Sequence, residues 1–403
     1  MRISTANSYD RTIDVLQKRQ SELSKLQSQL ATGKRVQKAS DDPVSATLSE
    51  TARNRLARTE ADLRSLEASR ASLQQAESGL AESGELIQQV RDLLVAAGNG
   101  AYGPNEREDI ARQLEGLRER LIGVANLKDN AGRTLFGGLG GAATPFVDAY
   151  PPPSGDVQFN GQRGQAAAGD RSLPQTLDGH AIWMDIPKGN GSFVVQQGVS
   201  NAGGVRADVG EVVDQAAWDA ATPDFDITFS VTGGVTTFTV TDGTNATLTT
   251  GTYQSGKAIE FAGISIKVEG QPSDADVLEV AAVGPAERTN IFEVVKHAVD
   301  TLRNSDGAYR THELGRTMTE LDAGLDKVLL ARGKAGEWLN RADSMEKLMK
   351  DRGVDYEVEI SRLEDMDLVK GISDFQTKQT GLEAALKAYA QVQRLSLFSV
   401  ING

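Results

Sequence analysis

A seven-residue repeat of large apolar side chains limits what this 403-residue chain can fold into more than any other feature. A small residue follows each large one three positions later, so both rows fall on one face of a helix. The large positions are Leu66, Leu73, Leu80, Ile87 and Leu94, and the small ones are Ser69, Ala76, Ser83, Val90 and Ala97. Rows of this kind are typical of a coiled-coil seam whose helices approach closely. We therefore predict a long helix in an antiparallel bundle.

Weaker helical periodicity extends the bundle towards both ends of the chain. A stripe from Ile13 to Leu30 stops at Gly33, which suits a helix C-terminus, and Ser40-Asp41-Asp42-Pro43 predicts the N-cap of the next helix. Residues 98–104 break the seam, and a return helix is predicted to follow as an antiparallel neighbour. Periodicity resumes at Thr289, and a last helix is predicted to carry Tyr356, Ile360 and Leu363 and, further on, Phe375, Leu382, Leu386 and Tyr389.

The middle of the chain differs in composition and in period. Residues 137–288 hold 9 of the 11 prolines, 23 of the 41 glycines and −11 of the −13 net charge. Apolar and polar residues alternate on both sides of Gly233-Gly234, and again around Ala262-Gly263, as in β-hairpins. These patterns predict a small antiparallel β domain, either a sandwich or a partial barrel.

The order of these segments predicts an α+β fold. A long antiparallel helical bundle or coiled coil would be built from both chain ends, with the antiparallel β domain inserted between them. The predicted divisions are 1–40 with 370–403 as a terminal coiled-coil assembly region, 41–136 with 289–369 as a helical bundle domain, and 137–288 as a β-rich outer domain.

Composition excludes several classes of function. A net charge of −13 argues against a protein whose main task is binding nucleic acid. No run approaches 18 apolar residues, so we predict no membrane insertion, and the first 25 residues lack the apolar core of an ordinary secretory signal. The complete absence of cysteine removes disulfides, thiolate nucleophiles and cysteine-ligated metals.

Three motifs invite a catalytic interpretation, and each has a simpler one. Residues 98–103 spell G-x-G-x-x-G, but a helix precedes them, whereas a dinucleotide site needs a strand there. The adjacent carboxylates of Asp41 and Asp42 suit helix capping better than general acid–base work. The histidines, His180, His297 and His312, have neither zinc nor triad spacing. We predict no enzyme, no cofactor and no metal site.

The two chain ends point to assembly as the function. Their apolar stripes have no evident local partner except each other, and a single pair of helices buries too little to order so many residues. We predict that these stripes become ordered when copies from neighbouring molecules complete their burial. The predicted interface residues are Ile13, Leu16, Leu23, Leu26, Leu30, Leu382, Leu386, Leu395, Leu397 and Phe398.

Several short motifs make the chain resemble the flagellin-like axial proteins of bacterial flagella. At the start, Met1-Arg2-Ile3-Ser4-Thr5 is followed by Gln27-Ser28-Gln29-Leu30-Ala31-Thr32-Gly33-Lys34-Arg35 and by Ser40-Asp41-Asp42-Pro43. Residues 130–138, NAGRTLFGG, match the turn where the family's helical domain gives way to its variable outer domain. Pro43 and the final Ser396-Leu397-Phe398 favour the hook–filament junction class of this family over filament flagellins.

The resemblance implies a structural role outside the cell, at the hook–filament junction. The terminal helices would line a tube as a ring of copies, on top of hook-associated protein 1 and beneath the flagellin filament. Export through the flagellar type III apparatus would replace a signal peptide. A cytoplasmic export chaperone is expected to bind the C-terminal helix, with Phe375, Leu382, Leu386 and Tyr389 as its contact residues.

Two alternatives remain open from the sequence. The nearer one is a filament flagellin, which would polymerise by itself into long filaments. The more distant one is a ligand-binding or enzymatic module, or a surface adhesin, carried by residues 139–288. Converging carboxylates with perturbed pKa values in a pocket would support an enzyme.

Overall fold

The computed structural model describes residues 2–100, 102–148, 156–166, 173–198, 200–221, 224–284, 286–305 and 307–401, with side chains described between residues 10 and 391. The chain divides into two compact units, one formed by Met1–Arg64 with Ser344–Gly403 and one by Ser65–Asp343. The finer division into three parts drawn from the sequence stays a prediction.

The described residues form seven α-helices and one π-helix. They are α1 (Arg2–Thr32), α2 (Pro43–Ala97), α3 (Pro104–Ala125), the π-helix (His180–Met184), α4 (Gln215–Ala220), α5 (Ile291–Asn304), α6 (Gly307–Glu364) and α7 (Leu368–Ile401). None of these helices, over the residues described, is long and apolar enough to cross a membrane.

The chain end contradicts one detail of the sequence analysis. A single last helix through residues 356–389 is wrong, because α6 ends at Glu364 and α7 begins at Leu368. The Met366 amide donates to the carbonyl of Gly33 at 2.8 Å, and the Asp367 carboxylate accepts from the Lys370 amide at 3.1 Å. The first bond draws the chain out of the α6 helix, and the second caps the N-terminus of α7.

The seven-residue repeat of α2 is buried as predicted. All five large side chains and all five small ones between Leu66 and Ala97 are buried. A Cβ added at Gly79 would lie 2.9 Å from the Leu127 side chain and 3.6 Å from that of Phe136, so the return segment packs tightly against this side of the seam. Gly79, which belongs to neither row, thus allows a neighbouring segment to approach α2 closely beside the seam.

Thirteen short strands are described in the second unit. They are β1 (Phe146–Asp148), β2 (Val157–Phe159), β3 (Ile186–Pro187), β4 (Phe193–Gln197), β5 (Arg206–Ala207), β6 (Glu211–Val212), β7 (Phe225–Thr232), β8 (Val235–Asp242), β9 (Thr247–Thr252), β10 (Ala258–Phe261), β11 (Ile264–Glu269), β12 (Val277–Ala282) and β13 (Arg288–Thr289). Every pairing between these strands is antiparallel.

Two larger sheets share one apolar core. The first has the order β4-β12-β7-β8-β9, and in the second β11 pairs with β10, β5 and β6. Phe225 and Ile227 of the first sheet and Ile264 and Ile266 of the second belong to the same buried cluster. Of the two predicted architectures, this arrangement favours the sandwich.

Both predicted hairpins are present. Gly233 and Gly234 join β7 to β8 with φ of 62° and 83°, and Ala262 and Gly263 join β10 to β11 with φ of 47° and 79°. Two successive positive φ angles are the geometry of a type I′ turn, which matches the twist of the strands. The α+β fold, with long helices at both chain ends and an antiparallel β region between them, is thus confirmed.

Truncation of the seam should destabilise the second unit strongly. Leu80 is fully buried in α2, so Leu80→Ala should lower the free energy of unfolding by about 2–5 kcal/mol through lost burial and a cavity. Val95 lies on the same helix but is 58% exposed, and Val95→Ala should change it by less than about 0.5 kcal/mol. Urea unfolding measures both, and equal losses would contradict the burial pattern.

Candidate assembly site

Helices α1 and α7 lie antiparallel in the first unit. The Arg19 guanidinium donates to the carbonyl of Gly381 at 2.9 Å, and Lys378 forms an ion pair with Glu22 at 2.9 Å. Close to the other end of α1, a Cβ added at Gly371 would lie 3.0 Å from the Leu30 side chain. As residue numbers rise along α1, the numbers of the contacted α7 residues fall. The two helices are therefore antiparallel, as the two terminal stripes predict.

The apolar surface of α7 consists of two rows, and only one of them is covered. The row Phe375, Leu382 and Tyr389 has a seven-residue spacing and is half-buried. The neighbouring row contains Ile372 and Leu386, which remain 51% and 48% exposed. A two-row seam normally inserts both rows between partner helices. The described part of the chain covers one row and leaves the other open to solvent.

The predicted interface residues of α1 are covered to different extents. Leu26 is buried, and Leu16, Leu23 and Leu30 are half-buried, whereas Ile13 is exposed. The structure therefore brings the stripes of α1 and α7 together. The remaining predicted residues, Leu395, Leu397 and Phe398, lie outside the residues whose side chains are described.

A buried carboxylate joins three segments near the end of α1 and the start of α7. The carboxylate of Glu364, at the end of α6, is only 8% exposed. Its Oε2 accepts from Lys34 Nζ at 2.9 Å and from Arg53 Nη2 at 2.5 Å, and its Oε1 accepts from the Ser49 hydroxyl. We call these four residues the Glu364 cluster. It links the loop after α1, the first turns of α2 and the end of α6.

Backbone hydrogen bonds support the same junction. The amides of Arg35 and Val36 both donate to the Glu364 carbonyl, at 2.7 and 3.2 Å. The Arg35 guanidinium donates to the carbonyl of Leu363 at 2.8 Å. The last carbonyls of α6 are thus satisfied by the loop that follows α1, so the start of α7 is held beside the end of α1.

The two carboxylates of the Asp41-Asp42 pair organise this loop. Asp42 caps α2, because its carboxylate accepts from the Ser45 amide at 3.1 Å with Pro43 as the first helical residue. The Ser45 hydroxyl, the Ser45 amide and Arg35 together lower the pKa of Asp42 to about 2. Asp41 accepts from the amides of Gln37 and Lys38 instead. The capping interpretation of this motif is confirmed.

Opposing effects set the pKa of Glu364. Burial alone raises it, since a charged carboxylate loses hydration there. Hydrogen bonds from Ser49 and Lys34, together with the positive charge of Arg53, outweigh burial, and the net effect is a pKa below the usual value. Glu364 is therefore ionised at neutral pH and belongs to a structural ion pair.

The other sequence motifs do not form a site. Residues 98–103 lie between α2 and α3, as an interhelical turn should. His312 is buried and bonds the carbonyl of Val195 through Nε2 at 2.9 Å, and His297 contacts Thr317 and Arg316. Across the described residues, no group of three or more histidine, aspartate or glutamate side chains is arranged to hold a metal ion.

Sequence reasoning missed the Glu364 cluster. Ser49 and Arg53 are four residues apart on α2, a spacing that puts both on one helix face. That spacing was the only local signal, because Glu364 lies 311 residues from Arg53 along the chain. A buried pair of such long range leaves no periodic trace in the sequence.

Comparison with known proteins agrees with this geometry in two steps. Residues 3–140 match the bacterial flagellin N-terminal helical region. This match spans α1, α2 and α3, the elements that contribute half of the α1–α7 pair and all of the buried α2 seam. The chain is thus similar to flagellins in the part that builds its helices.

Over the whole length, the similarity is to a particular junction protein. The chain is 25% identical to Flagellar hook-associated protein 3 of Escherichia coli over 415 residues, which covers 99% of both chains. A crystal structure of FlgL from Xanthomonas campestris matches at 26% identity with a TM-score of 0.67, over 78% of this chain and 99% of that one. Flagellin B of Vibrio cholerae is 23% identical, over 65% of this chain and 69% of its own. The predicted resemblance to the junction class is confirmed.

The carboxylates of this site should make the first unit sensitive to acid. The pKa values of Glu364 and Asp42 lie below their usual values of 4.5 and 3.8, so their stabilisation is complete above those values and is lost as pH falls. Amide exchange in residues 43–64 and 344–364, corrected for intrinsic rates, should therefore accelerate between about pH 4.5 and pH 2. Asp42→Asn should weaken this pH dependence, because asparagine caps a helix but has no carboxyl group to titrate. Unchanged exchange down to pH 2 would contradict the assignment.

Neutralising Glu364 should destabilise the first unit at neutral pH. Glu364→Gln leaves Lys34 and Arg53 without their shared carboxylate, and we expect a loss of about 1–3 kcal/mol. Glu359→Gln, at an exposed site on the same helix, should cost less than about 0.5 kcal/mol. Chemical unfolding followed by circular dichroism measures both variants, and equal stability of the two would show that the cluster contributes nothing.

Proposed function

We propose that this chain is a structural subunit of the bacterial flagellum at the hook–filament junction, where it connects the hook to the flagellin filament. The observation that carries the proposal is the half-covered seam of α7, next to a full-length similarity to hook-associated protein 3. Such a subunit makes and breaks no covalent bond. Its work is to offer apolar helix surface that other chains cover.

The proposed mechanism of assembly follows from the apolar side chains of α7 that remain exposed. Ile372 and Leu386 are about half exposed, so covering each of them with a neighbouring helix would contribute about 1 kcal/mol. One such contact is weak, but a ring of copies makes it many times over. Assembly would thereby complete the two-row seam that α1 alone covers in part.

We propose three kinds of structural partner for this surface. They are other copies of the chain in a ring, hook-associated protein 1 on the hook side and flagellin on the filament side. A ring needs heterologous contacts, in which one patch of a copy meets a different patch of the next. The flagellum lies outside the cell, and residues 137–288, which carry most of the negative charge, would face solvent there.

The same α7 surface suits an export chaperone before assembly. Phe375, Leu382 and Tyr389 are half-buried against α1, and Leu386 is exposed. A chaperone groove that takes an amphipathic helix would cover all four when α7 is separated from α1. Chaperone binding and pairing with α1 would then exclude each other, so the chaperone has to dissociate before the subunit assembles.

A filament flagellin is the second candidate, favoured by the match to the flagellin N-terminal region. The similarity to Flagellin B covers only about two thirds of each chain, whereas that to hook-associated protein 3 covers both almost completely. Purified filament flagellin would polymerise into long filaments. The junction proposal expects none from this chain alone.

Charge placed on the uncovered row should block assembly without unfolding the protein. In a strain that lacks the chromosomal copy, Ile372→Glu or Leu386→Glu should abolish incorporation, because a carboxylate cannot be buried in the seam. The free energy of unfolding of the purified variant should change by less than about 0.5 kcal/mol, since both sites are exposed in the free chain. Immunogold labelling of isolated flagella measures incorporation.

Gln376→Glu provides the matched control, because Gln376 is exposed on α7 outside the apolar rows. This variant should label the junction as the parent does. Normal incorporation of Leu386→Glu would contradict the role of the seam. Labelling along the whole filament, rather than at its base, would favour the flagellin alternative.

A further inference from the structure

An open polar groove lies beside the Glu364 cluster, wholly within the first unit. It has a volume of about 880 Å³ and is lined by the loop after α1 and the first turns of α2. Its basic side chains are Lys34, Lys38 and Arg53, and its acidic ones are Glu50 and Glu364. Because Glu364 already accepts from Lys34 and Arg53, Lys38 is the cation with capacity for another partner.

The surroundings of the groove are positive and partly apolar. Residues 33–58 contain six basic and three acidic side chains, a net charge of +3. Lys38, Arg55 and Arg58 are exposed, and none of them has an ion pair within the described residues. Val44, which is 69% exposed, and Leu48 lie one turn apart on α2, outside the residues that line the groove. The basic groove therefore carries the cations, and an uncovered apolar pair lies on the same turns of α2.

One face of α6 has the complementary properties. Residues 351–361 contain four acidic side chains and one basic one, a net charge of −3. Asp351, Asp355 and Glu359 are exposed and share one side of the helix, whereas Glu357, which is also exposed, lies on another side. An exposed apolar pair, Val354 and Val358, again lies one turn apart among them. We call this segment the acidic face of α6.

The residues of the acidic face do not line the groove of their own chain. Asp351 to Glu359 lie 5 to 13 residues before Glu364 on one continuous helix, which places them about 8–20 Å along the axis from the carboxylate that lines the groove. None of them lines the groove, and a straight helix holds them at that distance. The contact that charge complementarity favours is consequently one between two copies.

We propose that the basic groove of one copy binds the acidic face of α6 of a second copy. The two patches differ, so the contact is head to tail, and its repetition would close the ring of copies rather than extend a filament. The proposal rests on the proposed function, to which it adds a contact between copies that depends on charge. Lys38 of one copy would lie against Asp355 or Glu359 of the other.

Single-cysteine variants of the full-length chain test this contact directly, since the natural sequence contains no cysteine. An equimolar mixture of Lys38→Cys and Asp355→Cys proteins, oxidised at low ionic strength, should give a disulfide-linked heterodimer in several-fold excess over either homodimer. Raising the salt to 1 M, where the Debye length falls to about 3 Å, should reduce the yield. Lys38→Cys mixed with Glu383→Cys is the matched control, because Glu383 is an exposed acid on α7 outside the acidic face.

Charge reversal gives a second, independent result. Lys38→Glu or Asp355→Lys alone should weaken self-association about three- to tenfold in sedimentation velocity. A mixture of the two variants should recover association, because the intact groove of one meets the intact acidic face of the other and the two reversed charges attract each other. Lys18→Glu, at an exposed site of α1, should leave association unchanged.

A heterodimer yield no higher than the Glu383→Cys control, or one indifferent to salt, would overturn the proposal. So would charge-reversed variants that associate like the parent. These results concern the contact alone, since immunogold labelling decides separately whether the chain lies at the junction. A charge-dependent heterodimer from a chain absent from the junction would support the contact and refute the proposed function.

Discussion

Within the described residues, α1 covers only one of the two apolar rows of α7, and the proposed assembly depends on this incomplete burial. In α7 the row of Phe375, Leu382 and Tyr389 is half-buried, and Ile372 and Leu386 of the next row remain exposed. In the α2 seam, by contrast, both rows are buried. Among the described residues, α1 is the element that packs extensively against α7, whereas α2 contacts both α6 and the segment that follows α3. A surface left uncovered in this way is what a subunit needs for assembly.

The Glu364 cluster determines where that uncovered surface is presented. Burying a carboxylate is costly unless charged donors accompany it, and here Lys34, Arg53 and Ser49 supply them. Replacing the cluster with apolar residues need not weaken the fold, so we attribute geometry to it rather than large net stability. It fixes the end of α6 against the start of α2. With the bond between Met366 and Gly33, it directs α7 back along α1.

Local patterns made most of the fold predictable. The α2 seam, the Asp42 cap, the Gly33 terminus and the Gly233-Gly234 hairpin each depend on residues within one or two turns of each other. Strand order in the five-stranded sheet depends on pairings such as β4 with β12, more than 80 residues apart, and no periodicity encodes it. The break at residues 365–367 was missed because the apolar period continues across it without glycine or proline. The Glu364 cluster was missed because, like the strand pairings, it joins residues that lie far apart along the chain.

Hydrogen exchange, resolved along the free chain and along the chain in isolated flagella, tests the central claim most directly. The account predicts that amides of α1 and α7 exchange much faster in the free chain than those of the α2 seam between residues 66 and 97. In isolated flagella all three helices should be protected alike. Equal protection of α7 and the α2 seam in the free chain would mean that the seam of α7 is already complete within one molecule. Assembly would then have no uncovered surface to complete, and the account would be contradicted.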